Sequence, residues 1–217
     1  MTPLTEIIID SGYADRVLSA QQLERLLSGS SARRYGLVNR ALKAGELLQA
    51  RRGLYVLAEK YRQHPLHQFV LAQQWMPGSY VSAETALSFH GWIPEGVHSV
   101  VSMTHGGKSM EFTHEVFGKF EFCRMTVKPA CFLQAVARHE LQYQVALVAE
   151  PMRALLDLVY LRKLEWQGLD YLLDGLRIDE EAIKSVPASS MTMLLDVYKG
   201  KRERQFIEEL LRELGHD

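Results

Sequence analysis

Arg33, Asn39, Arg40 and Lys43 lie close together in the chain, and Arg51 and Arg52 follow shortly after. Guanidinium and ammonium groups meet phosphate oxygens or guanine edges, and an asparagine amide can bridge adenine. The set is therefore suited to gripping double-stranded DNA rather than to breaking bonds. To act together the first four must share one face of a helix. Residues 31 to 44 read as that helix: Tyr35, Val38 and Leu42 recur on one side at about 100° per residue, with Arg33, Gly36, Asn39, Arg40 and Lys43 opposite. A cationic front on one helix is, alone, an ordinary solvated surface. The neighbouring elements give it meaning.

Ser19 and Gln22 have the spacing of a capping box, which starts a helix carrying Leu23, Leu26 and Leu27 on one stripe. Ser28-Gly29-Ser30 is a short turn into the cationic helix. Gly45 ends that helix. Leu47 to Ala50 and Leu54 to Leu57 then form two apolar runs joined through Arg51-Arg52-Gly53, a hairpin with arginines at its tip. Ahead of all this, Pro3 suits a first helical turn, and Leu4, Ile7 and Ile8 give a small apolar face that Gly12 closes. Three helices and a basic hairpin predict a winged helix-turn-helix over residues 1–63. Residues 1–64 hold 10 Lys+Arg against 6 Asp+Glu, a net of +4, in a chain whose total is −1. Residues 65–140 stand at −1 and 141–217 at −4, so only the first part has the sign that attracts nucleic acid.

His64-Pro65 breaks any helix and marks the expected start of a second domain, residues 64–217. Leu66 to Met76 reads as a helix closed by Pro77-Gly78. Tyr80-Val81 precedes Ser82, the expected cap of a helix through Ala86, Leu87 and Phe89 that ends at His90-Gly91. From Val97 the period changes to two, through Thr104, Glu111 to Thr113, Lys119 to Val127 and Tyr143 to Leu147, which predicts a small, largely antiparallel sheet. Glu150-Pro151 opens a helix whose Met152, Leu155, Leu156, Val159 and Tyr160 form a strongly apolar face. Helices near 169–176, 180–186, 190–198 and 201–214 complete an expected C-terminal helical bundle. The fold class expected is α+β.

The composition, 217 residues and 47% hydrophobic, permits well-packed cores. Cys123 and Cys131 match neither a zinc site nor a disulfide framework, so free thiols in a reducing compartment are expected. No apolar run approaches the roughly 18 to 20 residues of a membrane span and no basic start leads an apolar segment, which predicts a cytoplasmic protein with no membrane partner. The histidines show no His-Glu-x-x-His spacing, and His64 and His67 straddle Pro65, so neither metal nor cofactor is expected. Glu111, Glu115, Glu121 and Lys119 could be forced into a nuclease's Mg²⁺ pattern, but alternating charges on a solvated sheet face explain them more simply. Thr104-His105-Gly106-Gly107 lacks the continuation of a phosphate loop. Arg153 and Asp157 read as an ordinary i, i+4 pair. The basic run Lys199, Lys201, Arg202 and Arg204 reads as an exposed helix start, because Glu203, Glu208 and Glu209 accompany it.

The run Tyr80-Val-Ser-Ala-Glu-Thr-Ala-Leu-Ser-Phe-His-Gly-Trp-Ile-Pro-Glu95, with Val97 and the strand to Thr104 after it, resembles the AbiEi family of antitoxins. Arg52-Gly53-Leu54-Tyr55 is similar to the end of that family's wing. Ala149-Glu150-Pro151-Met-Arg-Ala-Leu-Leu-Asp-Leu-Val-Tyr160 is similar to its later helix. The segment before Ser19 departs from the family pattern in being longer and more apolar. The resemblance implies a winged helix that binds DNA upstream of its own operon. It also implies a larger domain that neutralises a nucleotidyltransferase toxin, in a type IV toxin–antitoxin system linked to phage defence. Carried onto this chain, the implied DNA contacts fall on Arg33, Arg34, Asn39, Arg40, Lys43, Arg51 and Arg52. The expected protein is thus a non-enzymatic antitoxin and autorepressor. The alternatives are a winged helix delivering a nuclease-like domain and a transcription factor whose C-terminal domain senses a ligand.

Overall fold

Helix α1 (Pro3–Asp10) begins where Pro3 tolerates a first turn, and a distant carboxylate completes its start. The N–H of Thr2 donates to Glu46 Oε2 at 2.6 Å and the Thr5 hydroxyl donates to the same oxygen at 2.8 Å. The Thr2 N–H bond and then the Thr5 hydroxyl hold the Glu46 carboxyl down at about 2. The capping box forms as expected: Gln22 N–H reaches Ser19 Oγ at 3.2 Å and Ser19 N–H reaches Gln22 Oε1 at 2.8 Å, starting α2 (Ala20–Leu26). Helix α3 (Ser31–Lys43) follows after a four-residue turn. The computed structural model describes residues 1–141 and 143–215.

Strands β2 (Leu47–Arg51) and β3 (Leu54–Leu57) form the expected hairpin. A further two-residue strand, β1 (Leu18–Ser19), pairs with β3 to make an antiparallel sheet in the order β1-β3-β2. Two residues are too few to show alternation, so nothing in the sequence announced it. Leu4, Ile8, Leu18, Leu23, Leu27, Leu37, Ala41, Leu47 and Leu57 are the core of this part. The contacts group residues 1–75 and 140–144 in one unit, which takes in α4 (Gln68–Trp75). His64-Pro65 does break the helix, but Asp15 holds the segment: its carboxylate accepts from the N–H of Gln63 at 2.7 Å and of His64 at 3.1 Å.

The second unit runs from Met76 to His139 and onward from Val145. Its sheet is built from β4 (Tyr80–Val81), β5 (Ser99–Thr104), β6 (Met110–His114), β7 (Gly118–Arg124), β8 (Val136–Leu141) and β9 (Gln144–Ala149), in the order β6-β7-β5-β4-β9-β8. It is not the small, largely antiparallel sheet expected. β5 lies parallel to β7 and β4 parallel to β9, so the sheet is mixed. A period of two identifies strands but is silent on direction, which depends on partners remote in sequence. Helix α5 (Ala83–Phe89) lies between β4 and β5 in the chain, ending at His90-Gly91 as read.

Helix α6 (Pro151–Arg162) is buried on all sides from Met152 to Val159, beyond the single face expected. The later helices are present, most of them short, with the last close to its expected span. They are a π-helical turn at Tyr171–Gly175, α7 (Glu180–Lys184), α8 (Ala188–Thr192), a 3-10 turn at Met193–Asp196 and α9 (Lys201–Glu213). Among the described residues no helix is long and apolar enough to cross a membrane.

Arg153 and Asp157 do pair as i, i+4 neighbours, at 3.0 Å, yet both side chains are wholly buried rather than on a solvated face. Arg153 uses every N–H. Nε donates to Asp157 Oδ1, Nη1 to the carbonyls of Cys131 and Gln134, and Nη2 to the Tyr80 hydroxyl and the Phe132 carbonyl. Asp157 in turn accepts from Tyr80, Ser82 and Tyr198 at 2.8, 2.6 and 2.6 Å. Ser82 stands at the start of α5 without capping it, because its hydroxyl is spent here. Burial, with the Asp157 charge adding to it, pushes both tyrosine hydroxyls well above their ordinary range, so they remain donors.

Removing one partner would leave the other as an uncompensated buried charge. Asp157→Ala should cost about 3–5 kcal/mol in urea unfolding, and the paired replacement Arg153→Met/Asp157→Leu much less; equal losses would contradict this account. Glu46 gives a pH test of the first unit. Its carboxyl is depressed in the fold, so its contribution is complete above its ordinary value of 4.5 and is lost as pH falls through about 2. The stability advantage of wild type over Glu46→Gln should therefore shrink steadily below pH 4.5; a pH-independent difference would refute the assignment.

Candidate nucleic-acid interface

Ser30 caps α3 by accepting from the Arg33 N–H at 3.4 Å, and Gly29 turns the chain into it at φ +100°. That φ favours glycine, and a Cβ there would stand 2.9 Å from Arg33 Cδ, so the turn and the lie of Arg33 are set together. Arg33, Arg40 and Lys43 are exposed, as the sequence pattern leads one to expect.

The apolar side of α3 is rotated from the expected one. Leu37 and Ala41 enter the core, Val38 and Leu42 are half-buried, and Tyr35 is 72% exposed. Both stripes satisfy helical periodicity, and the packing of α1 and β2 against α3 selects between them. Leu37 and Ala41, four apart, were the available signal. In consequence Asn39 is half-buried beside Tyr35, not level with the arginines. Arg34 is half-committed: its Nη1 donates to the Gly29 carbonyl at 2.8 Å, bracing the turn.

The two hairpin arginines separate. Arg52 is exposed in the turn with Gly53, whose φ is +79°. The Gly53 carbonyl accepts from the Ala20 N–H at 2.8 Å, which pins the turn to the first residue of α2. Arg51 instead points inward, with Nη1 donating to the Trp75 carbonyl at 2.7 Å. The structure thus brings Arg33, Arg40 and Lys43 onto the exposed part of α3 and leaves Arg52 exposed at the turn. It ties down Arg34 and Arg51.

Between α2, α3 and the hairpin lies a groove of about 470 Å³ whose walls include Leu23, Leu27, Tyr35, Val38, Asn39 and Tyr55. Sequence reasoning did not anticipate it, because its two sides come from separate elements. Arg33, Arg40 and Lys43 do not line it.

The second unit holds a cleft of about 440 Å³ among α5, β5 and the π-helical turn. Arg162 pairs with Glu84 on its wall, and Arg177 pairs with Glu95 at 2.7 Å. Arg177 sits at φ +54°, a strained position for a long side chain, two residues past the π-helical turn. Glu121, on another wall, shares Lys119 with Glu111, each at 3.1 Å, so the lysine is an ion-pair bridge across the sheet face. Burial pushes the Cys123 thiol up to about 11, far from a reactive thiolate. Among the described residues no three His, Cys, Asp or Glu side chains converge as metal ligands would.

The division between the hairpin arginines is measurable. Arg51→Met should lower the unfolding free energy by about 1 kcal/mol through the lost bond to Trp75, and Arg52→Ala should change it by less than about 0.5. The reverse order in urea titrations would contradict the inward placement of Arg51. Compared with known proteins, the chain matches neither a protein-family model nor a curated protein.

Proposed function

We propose that the first unit is a winged helix-turn-helix that binds double-stranded DNA. On the same reading the chain is an autorepressor and antitoxin against a nucleotidyltransferase toxin, as its resemblance to the AbiEi family implies. The observation that carries the DNA half is the pairing of geometry with charge. Arg33, Arg40 and Lys43 stand exposed on α3, the helix that follows the four-residue turn after α2, within residues 1–64 at a net of +4, while residues 65–217 hold 15 Lys+Arg against 20 Asp+Glu. The antitoxin half rests on the resemblance alone. A second reading, a regulator whose second unit senses a small ligand, is favoured by the Arg162/Arg177 cleft. A nucleotidyltransferase encoded by the neighbouring gene supports the antitoxin, and its absence favours the sensor.

The test is a gel-shift titration against the protein's own upstream DNA over a salt series, with an Arg33→Ala/Arg40→Ala/Lys43→Ala variant beside wild type. Each phosphate contact contributes about 0.9 to the slope of log affinity against log salt, so the variant should lose roughly two to three units of slope. Equal slopes would show the basic face to be merely solvated. In a second arm, co-expression with the neighbouring nucleotidyltransferase should restore growth; continued arrest would refute the antitoxin half.

A further inference from the structure

The exposed arginines flank the α2–α3 groove without entering it, and what does enter it has a different chemistry. Tyr35 is 72% exposed at its edge, and Val38 and Leu42 line its α3 side. Among the described residues the Asn39 side-chain amide makes no hydrogen bond. Arg34, the one cation among the described residues of the lining, already donates to the Gly29 carbonyl. Glu24 on the α2 wall would repel a phosphate placed in the groove itself. The groove is therefore mixed, but the stretch of its α3 side formed by Tyr35, Val38 and Leu42 is apolar and carries the unbonded Asn39 amide, inside a unit whose overall sign is positive.

We propose that this surface reads A·T base pairs: the Asn39 amide bridges adenine N6 and N7, and Tyr35, Val38 and Leu42 accept thymine methyl groups. Arg33, Arg40 and Lys43, to the side, hold phosphates rather than guanine. The inference rests on the DNA-binding reading above and adds the sequence class that the site recognises. In the major groove, Asn pairs bidentately with adenine, apolar side chains meet the thymine methyl, and arginine is the usual guanine reader. Here the arginines are off the reading face.

Gly36 fits the same account. It lies one residue from Tyr35 and three from Asn39, its backbone is ordinary helix, and a Cβ there would meet only Arg40 Nη1, at 3.5 Å. Nothing in the fold requires glycine at this place, and glycine is a poor helix former. Its use is the close approach of a base edge to the helix backbone.

The experiment is selection of the full-length chain on a pool of randomised duplexes, followed by fluorescence anisotropy on the enriched duplex and on an unselected duplex of equal length. Wild type should enrich sites with an A·T core. Asn39→Ala should weaken the enriched duplex about ten- to a hundredfold while changing the unselected one by less than about threefold. Gly36→Ala should raise the melting temperature yet weaken the enriched duplex, a pair of opposite signs that misfolding cannot produce. Enrichment of a G·C core, or of no motif with Asn39→Ala binding as wild type does, overturns this inference and leaves DNA binding standing. Failure of wild type to bind any duplex overturns both.

Discussion

A guanidinium with no exposed surface has lost its water on every side, and each of its five N–H groups must find an acceptor within the protein. Arg153 finds all five, and the carboxylate facing it accepts four bonds. The partners come from the carbonyls at residues 131, 132 and 134, from β4, from the start of α5 and from the segment before α9. One ion pair thus fixes where several parts of the second unit lie relative to α6. Its completeness is the essential feature, since a half-satisfied buried pair would be worse than an apolar core. The surrounding apolar burial is non-directional; this network supplies the direction.

The first unit is held in another way. Its core is a set of leucines with Ile8 and Ala41, and short polar clamps at its surface set the register. Glu46 holds the start of α1, Asp15 holds residues 63 and 64, Ser19 and Gln22 start α2, and the Ala20–Gly53 bond fastens the hairpin turn. Arg51 and Arg34 belong to the same set of braces. Because the fold is secured by these groups, the outward surface of α3 is left without structural duties, which is the condition for a surface that meets a ligand.

The charge-bearing residues of the second unit show how little a pattern of types says about what they do. Lys119 and its two glutamates, arranged on paired strands, could be drawn as a nuclease centre, yet they form ion pairs across a sheet face. Arg177, unremarked in the sequence, sits strained beside a cleft with Glu95. The difference lies in which groups already have partners, and that is a property of three-dimensional proximity.

Several features were determined by the sequence alone: the capping box at Ser19 and Gln22, the Gly29 turn, the span of α3, the two-run hairpin, the end of α5 at His90-Gly91 and the proline-led start of α6. Each depends on interactions within a few residues, so local chemistry suffices. The tertiary structure decided the rest: that Tyr35 turns outward while Leu37 and Ala41 turn in, that Arg51 braces Trp75, that β5 and β7 run parallel, and that Arg153 and Asp157 are buried rather than solvated. In each case the local pattern allowed more than one answer. The choice fell to partners distant in the chain, whose packing determines which side of a helix is covered and which charges lose their water.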